Sequence, residues 1–250
     1  MLLPCTALAQ ALVNGVQPSA INGIPVTTGF QFDGITLTPP GGGGSAPTVV
    51  QSKSTGTLAE FVDLDTPLTA GNVLVAAIYG TPGHTLSFTD SLGSAATMIA
   101  SSELTTDGDG IAIACAPITA GGSDTLTFTD NGSGANVPAV IYEVHNATCT
   151  QDVTAVKSNT LASTSCNSGA ITTTTANDLL IAVCGTDATN TATITAGSGW
   201  SGGLNAQLDS PTRPLVMSEY QIGTSPGSFT ATSGTFTSEE QATLLVALKP

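Results

Sequence analysis

The chain has few basic residues, few aromatic residues and no long apolar run. Its 250 residues carry only four Lys and Arg against eighteen Asp and Glu, for a formal net charge of −14. This balance offers no basic surface to neutralise phosphates, which argues against a nucleic-acid partner, and an anionic membrane surface would repel the protein. The apolar runs of about five to eight residues are far shorter than a membrane helix needs, so no membrane insertion is expected.

Threonine, glycine and proline are abundant, and this composition disfavours helices. The sequence contains 28 Gly and 14 Pro, while only 9% of its residues are charged. From Ala46 onward, β-branched and apolar runs alternate with Gly, Asn, Asp, Ser and Pro clusters about every ten residues, which is typical of a β-sandwich or jelly roll. Only 57–64 has a weak helical pattern. We therefore expect an all-β, antiparallel fold with strands over 72–79, 85–89, 110–116, 124–129, 138–145, 178–184, 191–195, 214–222, 228–232 and 241–248.

The body of the chain contains two related halves, roughly 46–156 and 170–250. The run 72–77 is echoed by 178–183, each with five consecutive apolar residues after an Asn or Asp. Two copies of a four- to five-strand unit could form two stacked small sandwiches or contribute one sheet each to a single sandwich. We expect one double sandwich or jelly roll over 46–250, because no linker-like stretch separates the halves. The Thr- and Ser-rich segment 157–175 is the alternative boundary.

Residues 1–45 form an N-terminal arm that ends in Pro39-Pro40 and a run of four glycines, a stiff pair followed by a flexible hinge. Three times in the arm, Asn-Gly or Asp-Gly stands between apolar residues, which predicts short β-hairpins. Hairpins this small cannot form a core alone, so we expect the arm to dock onto its own domain, a sister subunit or a larger assembly. The residues expected to carry this docking are Val13, Ile21, Ile24, Phe30, Phe32 and Ile35.

Five cysteines bear on the compartment of the protein. If Cys5 is lost with the extreme N-terminus, four remain, and an even number favours secretion. Cys149 and Cys166 bracket a polar segment and are the candidate disulfide, while Cys115 and Cys184 lie in apolar strands as buried thiols or as a bridge. Ala9-Gln10-Ala11 resembles a signal-peptide cleavage site without a basic n-region, so a secreted protein with a late start and a mature cytoplasmic protein both remain open.

Few residues could carry catalysis or bind a metal. Ser201 lies in a G-x-S-x-G pattern. A nucleophile elbow of this kind requires a helix directly after the serine and a histidine later in the chain, but no helix is predicted there and both histidines precede Ser201. Glu143 and His145 share one strand face, as a general acid and base would, although such a pair is more often solvated at a strand end. Asp107 and Asp109 are weak Ca²⁺ candidates in an Asp-Gly loop that lacks the rest of an EF-type site. No cofactor and no other metal site is expected.

Trp200 is the one tryptophan and stands among glycines and serines. Such a side chain could stack on a sugar ring, and it could equally pack over an open end of the sandwich core. The sequence therefore leaves a glycan-binding role for Trp200 open.

Several turn-and-strand motifs of the body occur in a fixed order: Asn72-Val73-Leu74-Val75-Ala76, Asp90-Ser91-Leu92-Gly93, Gly121-Gly122-Ser123-Asp124-Thr125-Leu126-Thr127, Tyr142-Glu143-Val144 and Ala176-Asn177-Asp178-Leu179-Leu180. Their order resembles a diffuse class of β-sandwich modules found in bacteriophage virion proteins of the capsid or tail and in bacterial secreted surface proteins. The Asn-Gly elements of the arm are similar to N-terminal segments of phage structural proteins. The resemblance implies a fold and a setting more than an activity.

These features predict a non-enzymatic structural or decoration protein of a virion, docked by its arm to other virion subunits or to copies of itself. The alternative is a secreted or cell-surface adhesion or carbohydrate-binding module that recognises a host-surface glycan. A more distant alternative is a hydrolase that uses Glu143 or Glu219. An acidic surface would keep displayed domains soluble and mutually repelling.

Overall fold

The computed structural model describes residues 44–55, 61–80, 85–104, 110–131, 137–186, 193–207, 215–234 and 238–250, together with four short strands between residues 20 and 37. The chain divides into two compact units, Met1–Gly42 and Gly43–Pro250. Within the described ranges there is no α-helix, and all strand pairs are antiparallel. None of the described residues forms a helix long and apolar enough to cross a membrane.

The described residues of the first unit form two pairs of short antiparallel strands. Strand β1 (Ala20–Ile21) pairs with β2 (Ile24–Pro25), and β3 (Phe30–Phe32) pairs with β4 (Ile35–Leu37). The pairing places apolar residues opposite each other on either side of the Asn-Gly and Asp-Gly dipeptides. Of the arm residues singled out above, Val13 lies outside the described residues, and the others lie in these strands: Ile21, Ile24, Phe30, Phe32 and Ile35.

The first half of the second unit forms a five-stranded sheet with the order β5-β12-β7-β10-β9 and a three-stranded sheet with the order β6-β11-β8. Their strands are β5 (Thr48–Ser54), β6 (Phe61–Asp63), β7 (Val73–Gly80), β8 (Leu86–Asp90), β9 (Thr97–Glu103), β10 (Gly110–Pro117), β11 (Thr125–Asp130) and β12 (Ala139–His145). The first strand of this half therefore lies at one edge of the large sheet, next to its last strand.

The second half repeats this arrangement with the order β13-β19-β15-β17-β16 in its large sheet and a β14-β18 pair beside it. Its strands are β13 (Val156–Ser163), β14 (Asn167–Thr172), β15 (Asp178–Thr186), β16 (Ser201–Gln207), β17 (Leu215–Gly223), β18 (Ser228–Thr232) and β19 (Glu239–Leu248). Again the first strand of the half lies at an edge, beside the last.

The two large sheets pack face to face, and each carries a small sheet on its other face. The central core joins β7, β10 and β12 of the first half to β15, β17 and β19 of the second. Separate cores lie between each large sheet and its own small sheet. We call the large and small sheets of the first half the first sandwich and those of the second half the second sandwich. Strands β7 and β15 are consequently buried along both faces, whereas β11 alternates between exposed and buried residues. A strand covered on both sides has no polar face to present, which explains the continuous apolar runs in the sequence.

The two large sheets lie on each other with their strand orders reversed, as in two units related by a two-fold axis. Edge strand β9 contacts β13 and β19, while edge strand β5 contacts β16. Across this interface the rings of Tyr142 and Tyr220 meet edge to face, with centroids 5.6 Å apart. Gly185 lies so close to the first half that a Cβ there would stand 2.3 Å from Ile111 Cγ2.

Two predictions about secondary structure are wrong where the structure describes the residues. The helical pattern over 57–64 gives way to strand Phe61–Asp63, in which Val62 is buried between exposed neighbours because it pairs with β11. Of the strand predicted over 191–195, residues 193–195 are not strand. Strands β5, β9, β13, β14 and β16 escaped prediction, because edge strands and short outer strands need few apolar residues.

Candidate functional site

The first and last described residues of the body lie together at one end, which we call the base. Asn177 Nδ2 donates a hydrogen bond to the Gly44 carbonyl at 3.0 Å. A Cβ on Gly44 would stand 3.2 Å from Cβ of Pro250. The base is the end at which β5 begins and β19 ends, so the chain enters and leaves the body at the same place.

A buried carboxylate closes the base of the first sandwich. Glu143 is fully buried and accepts hydrogen bonds from Gln51 Nε2 at 2.6 Å, Thr69 N at 2.9 Å and Asn72 Nδ2 at 2.6 Å. These donors come from an edge strand and from the segment that leads into β7, so the carboxylate ties that segment to the sheet. Charge-assisted hydrogen bonds of this kind satisfy a buried carboxylate.

His145 connects to this carboxylate only through Asn72. Its Nδ1 lies 2.9 Å from Asn72 Oδ1, while the amide nitrogen of Asn72 donates to Glu143. An amide oxygen only accepts, so Nδ1 of His145 carries the proton. The structure thus brings together Glu143, which the sequence proposed as an acid or base, and His145, but the carboxylate is enclosed and serves as an acceptor of three hydrogen bonds.

A second polar cluster lies at the base of the second sandwich. Asp178 is the first residue of β15, close to the position that Asn72 has just before β7 in the first half. Its carboxyl oxygens are fully buried and have no hydrogen-bond partner. Burial, followed by the negative charge of Asp152, raises the pKa of Asp178 to about 7. Lys249 Nζ lies 3.8 Å from Asp152 Oδ1 and partly offsets this effect. Asp178 therefore keeps its proton as the pH rises until it approaches neutrality.

Asp152 has the opposite environment. Burial alone would raise its pKa, but backbone and hydroxyl donors of Thr174 and Thr175 outweigh that effect and hold the pKa well below its usual range. Asp152 is therefore the ionised member of the pair with Asp178. Within the base, Asp178 thus has no hydrogen-bond partner, whereas Asp152 accepts hydrogen bonds from Thr174 and Thr175.

The disulfides differ from the predicted one. Cys115 of β10 is bridged to Cys149, and Cys166 to Cys184 of β15, with Cα atoms 5.5 and 6.0 Å apart. The predicted Cys149–Cys166 bridge is wrong, because each of these residues faces a strand of a different sandwich. Cys5 lies outside the described residues.

Glu219 is enclosed in the second sandwich. Its Oε2 accepts a hydrogen bond from Gly197 N at 2.6 Å, and burial raises its pKa. It lines a cavity with room for about one water molecule, beside the Cys166–Cys184 bridge and Met217. Glu219 and Glu143 therefore belong to different sandwiches, and the structure does not bring the two carboxylates together.

Trp200 lies half-buried at the margin of the second sandwich. Its ring packs against the cluster that contains Ile171 and Leu180, and its indole Nε1 donates to the Thr230 carbonyl at 3.3 Å. Ser201, next to it, begins strand β16, so the strand-to-helix turn of a nucleophile elbow is absent at this position.

A polar groove that the sequence did not predict lies between edge strands β9 and β13. It encloses about 390 Å³ and is lined by Ser101, Ser102, Glu103, Lys157, Ser158 and Asn159. The only hint in the sequence is the serine content of both segments, because the groove exists only where the two halves meet.

Among the described residues, no three His, Cys, Asp or Glu side chains form a group that could hold a metal ion. The calcium candidates Asp107 and Asp109 lie outside the described residues.

Comparison with known proteins adds no family to these observations: the chain matches no protein-family model, no curated protein and no solved structure with significant similarity.

Proposed function

We propose that this protein is a non-enzymatic structural or decoration protein of a bacteriophage virion, docked through residues 1–45 and displaying its β-sandwich body on the capsid or tail. The observation that carries the proposal is the base, where Gly44 lies against Asn177 and Pro250. A body that the chain enters and leaves at one end can be attached there while its other end stays free.

The topology of the first half supports a display role. Its eight strands, numbered in chain order, follow the order 1-8-3-6-5 in the large sheet and 2-7-4 in the small one. We infer a jelly-roll variant in which the fifth strand pairs with the sixth, an architecture common in capsid domains.

The charge distribution also favours display. Asp33 is the only charged residue of 1–45, so the total of −14 leaves −13 on the rest of the chain. Bodies with this charge repel one another, whereas the arm is almost neutral and can approach them. Two carboxylates at the base of the body, Glu143 and Asp152, accept hydrogen bonds from within the fold.

Deletion of 1–45 tests the proposal. The deleted protein should keep a cooperative melting transition and fail to enter particles assembled in its presence. A matched control replaces 1–38 with a Gly/Ser segment of equal length and retains the hinge. Incorporation of either variant at the full-length level would contradict docking by the arm.

The disulfides favour a second candidate, a secreted adhesion or carbohydrate-binding module. Two bridges among the four body cysteines are typical of oxidising compartments. The intact mass of the native protein, measured before and after reduction and alkylation, reports the N-terminus and the thiol count together. A chain that starts at Met1 with free thiols would favour the virion role, and one that starts at Leu12 with two disulfides would favour the secreted module.

Trp200→Ala separates glycan binding from packing. If the module binds glycans through Trp200, the variant loses retention on a polysaccharide column at an unchanged melting temperature. If the natural protein is not retained on the column and the variant is less stable, Trp200 serves the core alone.

A further inference from the structure

The two large sheets have four edges, formed by β5, β9, β13 and β16. An edge strand presents unpaired N–H and C=O groups that can pair with another chain unless side chains or loops cover them. Three of these edges are covered by neighbouring groups, and β13 differs from them.

Two side chains cap carbonyls of β9. Gln151 Nε2 donates to the Ile99 carbonyl at 2.9 Å, and Asn159 Nδ2 donates to the Glu103 carbonyl. Both caps come from outside the sheet to which β9 belongs, so they occupy positions that an added strand would need.

Segments of the chain flank β16 and β5. The side chain of Asn205 in β16 exchanges hydrogen bonds with the backbone N and O of Ile194 at 3.0 and 2.9 Å. In β5, Gln51 exchanges hydrogen bonds with the backbone of Thr66 at 2.9 and 3.1 Å, and Lys53 forms an ion pair with Asp65 at 2.6 Å.

Strand β13 (Val156–Ser163) is open in comparison. Within the described part of the chain, its backbone is hydrogen-bonded to β19 and to no loop or side chain beyond it. Its side-chain hydrogen bonds are those of Asn159 to the Glu103 carbonyl and of Ser163, at the end of the strand, to the backbone of Ser165. It also carries Leu161, which at 67% exposure is the most exposed large apolar side chain of the described residues. The strand contains Lys157 and no acidic residue, in a body that is otherwise strongly acidic.

We propose that the outer edge of β13 receives the β3–β4 hairpin (Phe30–Phe32 and Ile35–Leu37) from the arm of a second copy of this chain, by addition of a strand to the large sheet. This inference rests on the proposed docking role of the arm and names its receptor. The contact is heterologous, because an arm of one copy meets an edge of the next, so it can propagate as a ring or a filament.

Charge and composition select this occupant over another body. Direct pairing of two bodies through β13 would bring two bodies of like, strongly negative charge together, whereas the arm has Asp33 as its only charge. The hairpin alternates apolar and polar residues, with Gln31 paired to Thr36 between apolar pairs, as a strand added to a sheet requires. The groove of about 390 Å³ between β13 and β9 leaves room for its side chains.

Complementation between two full-length variants tests the proposal. Leu161→Asp disables the edge and leaves the arm intact, while Phe32→Asp disables the arm and leaves the edge intact. Val50→Asp is the matched control, because Val50 is 48% exposed on the flanked edge strand β5. Sedimentation velocity at several concentrations should show oligomers for the natural sequence and for Val50→Asp, and monomers for each of the other variants alone.

A mixture of Leu161→Asp and Phe32→Asp should form a one-to-one dimer, because one arm and one edge remain functional. Monomers in the mixture, or for the natural sequence at every concentration, would overturn docking between copies. Oligomers of Phe32→Asp alone would indicate pairing between bodies and overturn the choice of the arm. If Leu161→Asp enters particles at the natural level while the arm deletion does not, the arm docks elsewhere and only this inference fails.

Discussion

Replacement of Glu143 is the sharpest test of whether the buried carboxylate at the base is structural. Glu143→Ala removes an acceptor of three hydrogen bonds and leaves the side chains of Gln51 and Asn72 and the backbone N–H of Thr69 without it. Each buried donor left unpaired costs about 1–3 kcal/mol, and water entering the space recovers part of this. We expect a loss of about 3–5 kcal/mol in the free energy of unfolding, a large share of the stability of an ordinary domain.

Urea unfolding followed by tryptophan fluorescence and circular dichroism provides the measurement. Glu143→Gln keeps one carbonyl oxygen but points an amide NH₂ at existing donors, so it should lose about 1–3 kcal/mol. Glu103→Ala removes an exposed carboxylate from an edge strand and should change stability by less than about 0.5 kcal/mol. If Glu143→Ala unfolds at the same urea concentration as Glu103→Ala, the hydrogen bonds seen at the base contribute nothing and the structural role is refuted.

Three further perturbations test other parts of the fold. Because the pKa of Asp178 is raised to about 7, the folded protein retains a proton that the unfolded chain releases above about pH 4. The melting temperature should therefore fall between pH 4 and 7, and Asp178→Asn should flatten that decline. The same decline in the Asp178→Asn variant would show that this proton has no part in it. Loops of 34 and 18 residues predict losses of about 4 kcal/mol for Cys149→Ser and about 3 kcal/mol for Cys166→Ser under oxidising conditions, and no difference from the natural protein once all are reduced. Gly185→Ala should lower the free energy of unfolding by about 1–3 kcal/mol, because the added Cβ displaces Ile111. Chemical unfolding measures this loss, and an unchanged value would contradict the close packing of the two large sheets.

The sequence predicted the central strands well because they are covered on both faces. Residues such as Leu74, Ala76 and Leu180 are fully buried, and a strand without a polar face appears as an uninterrupted apolar run. Edge strand β13 was missed because half of its residues are Ser, Asn or Thr and most of its side chains are exposed, so nothing in its composition separates it from a loop. Tertiary pairing with β19 makes it a strand.

The candidate site was less predictable than the fold. Glu143 was noticed as an ionisable residue on a strand, but its role depends on Gln51 and Thr69, which are 92 and 74 residues away in sequence. The disulfides show the same limitation: spacing along the chain favoured Cys149 with Cys166, while strand topology brought each to another partner. Pairings of four cysteines cannot be deduced from their spacing.

By itself, the sequence determined what depends on local pattern: a body rich in strands, a repeated order of strand and turn motifs, a nearly neutral arm and a strongly acidic remainder. These properties follow from side-chain periodicity and composition. Only the tertiary structure decided which faces of the two halves meet, where the buried carboxylates find their donors, that Gly44 and Pro250 share one end, and that β13 is the open edge. Each of these depends on contacts between residues far apart in the chain, whose free energies no local pattern encodes.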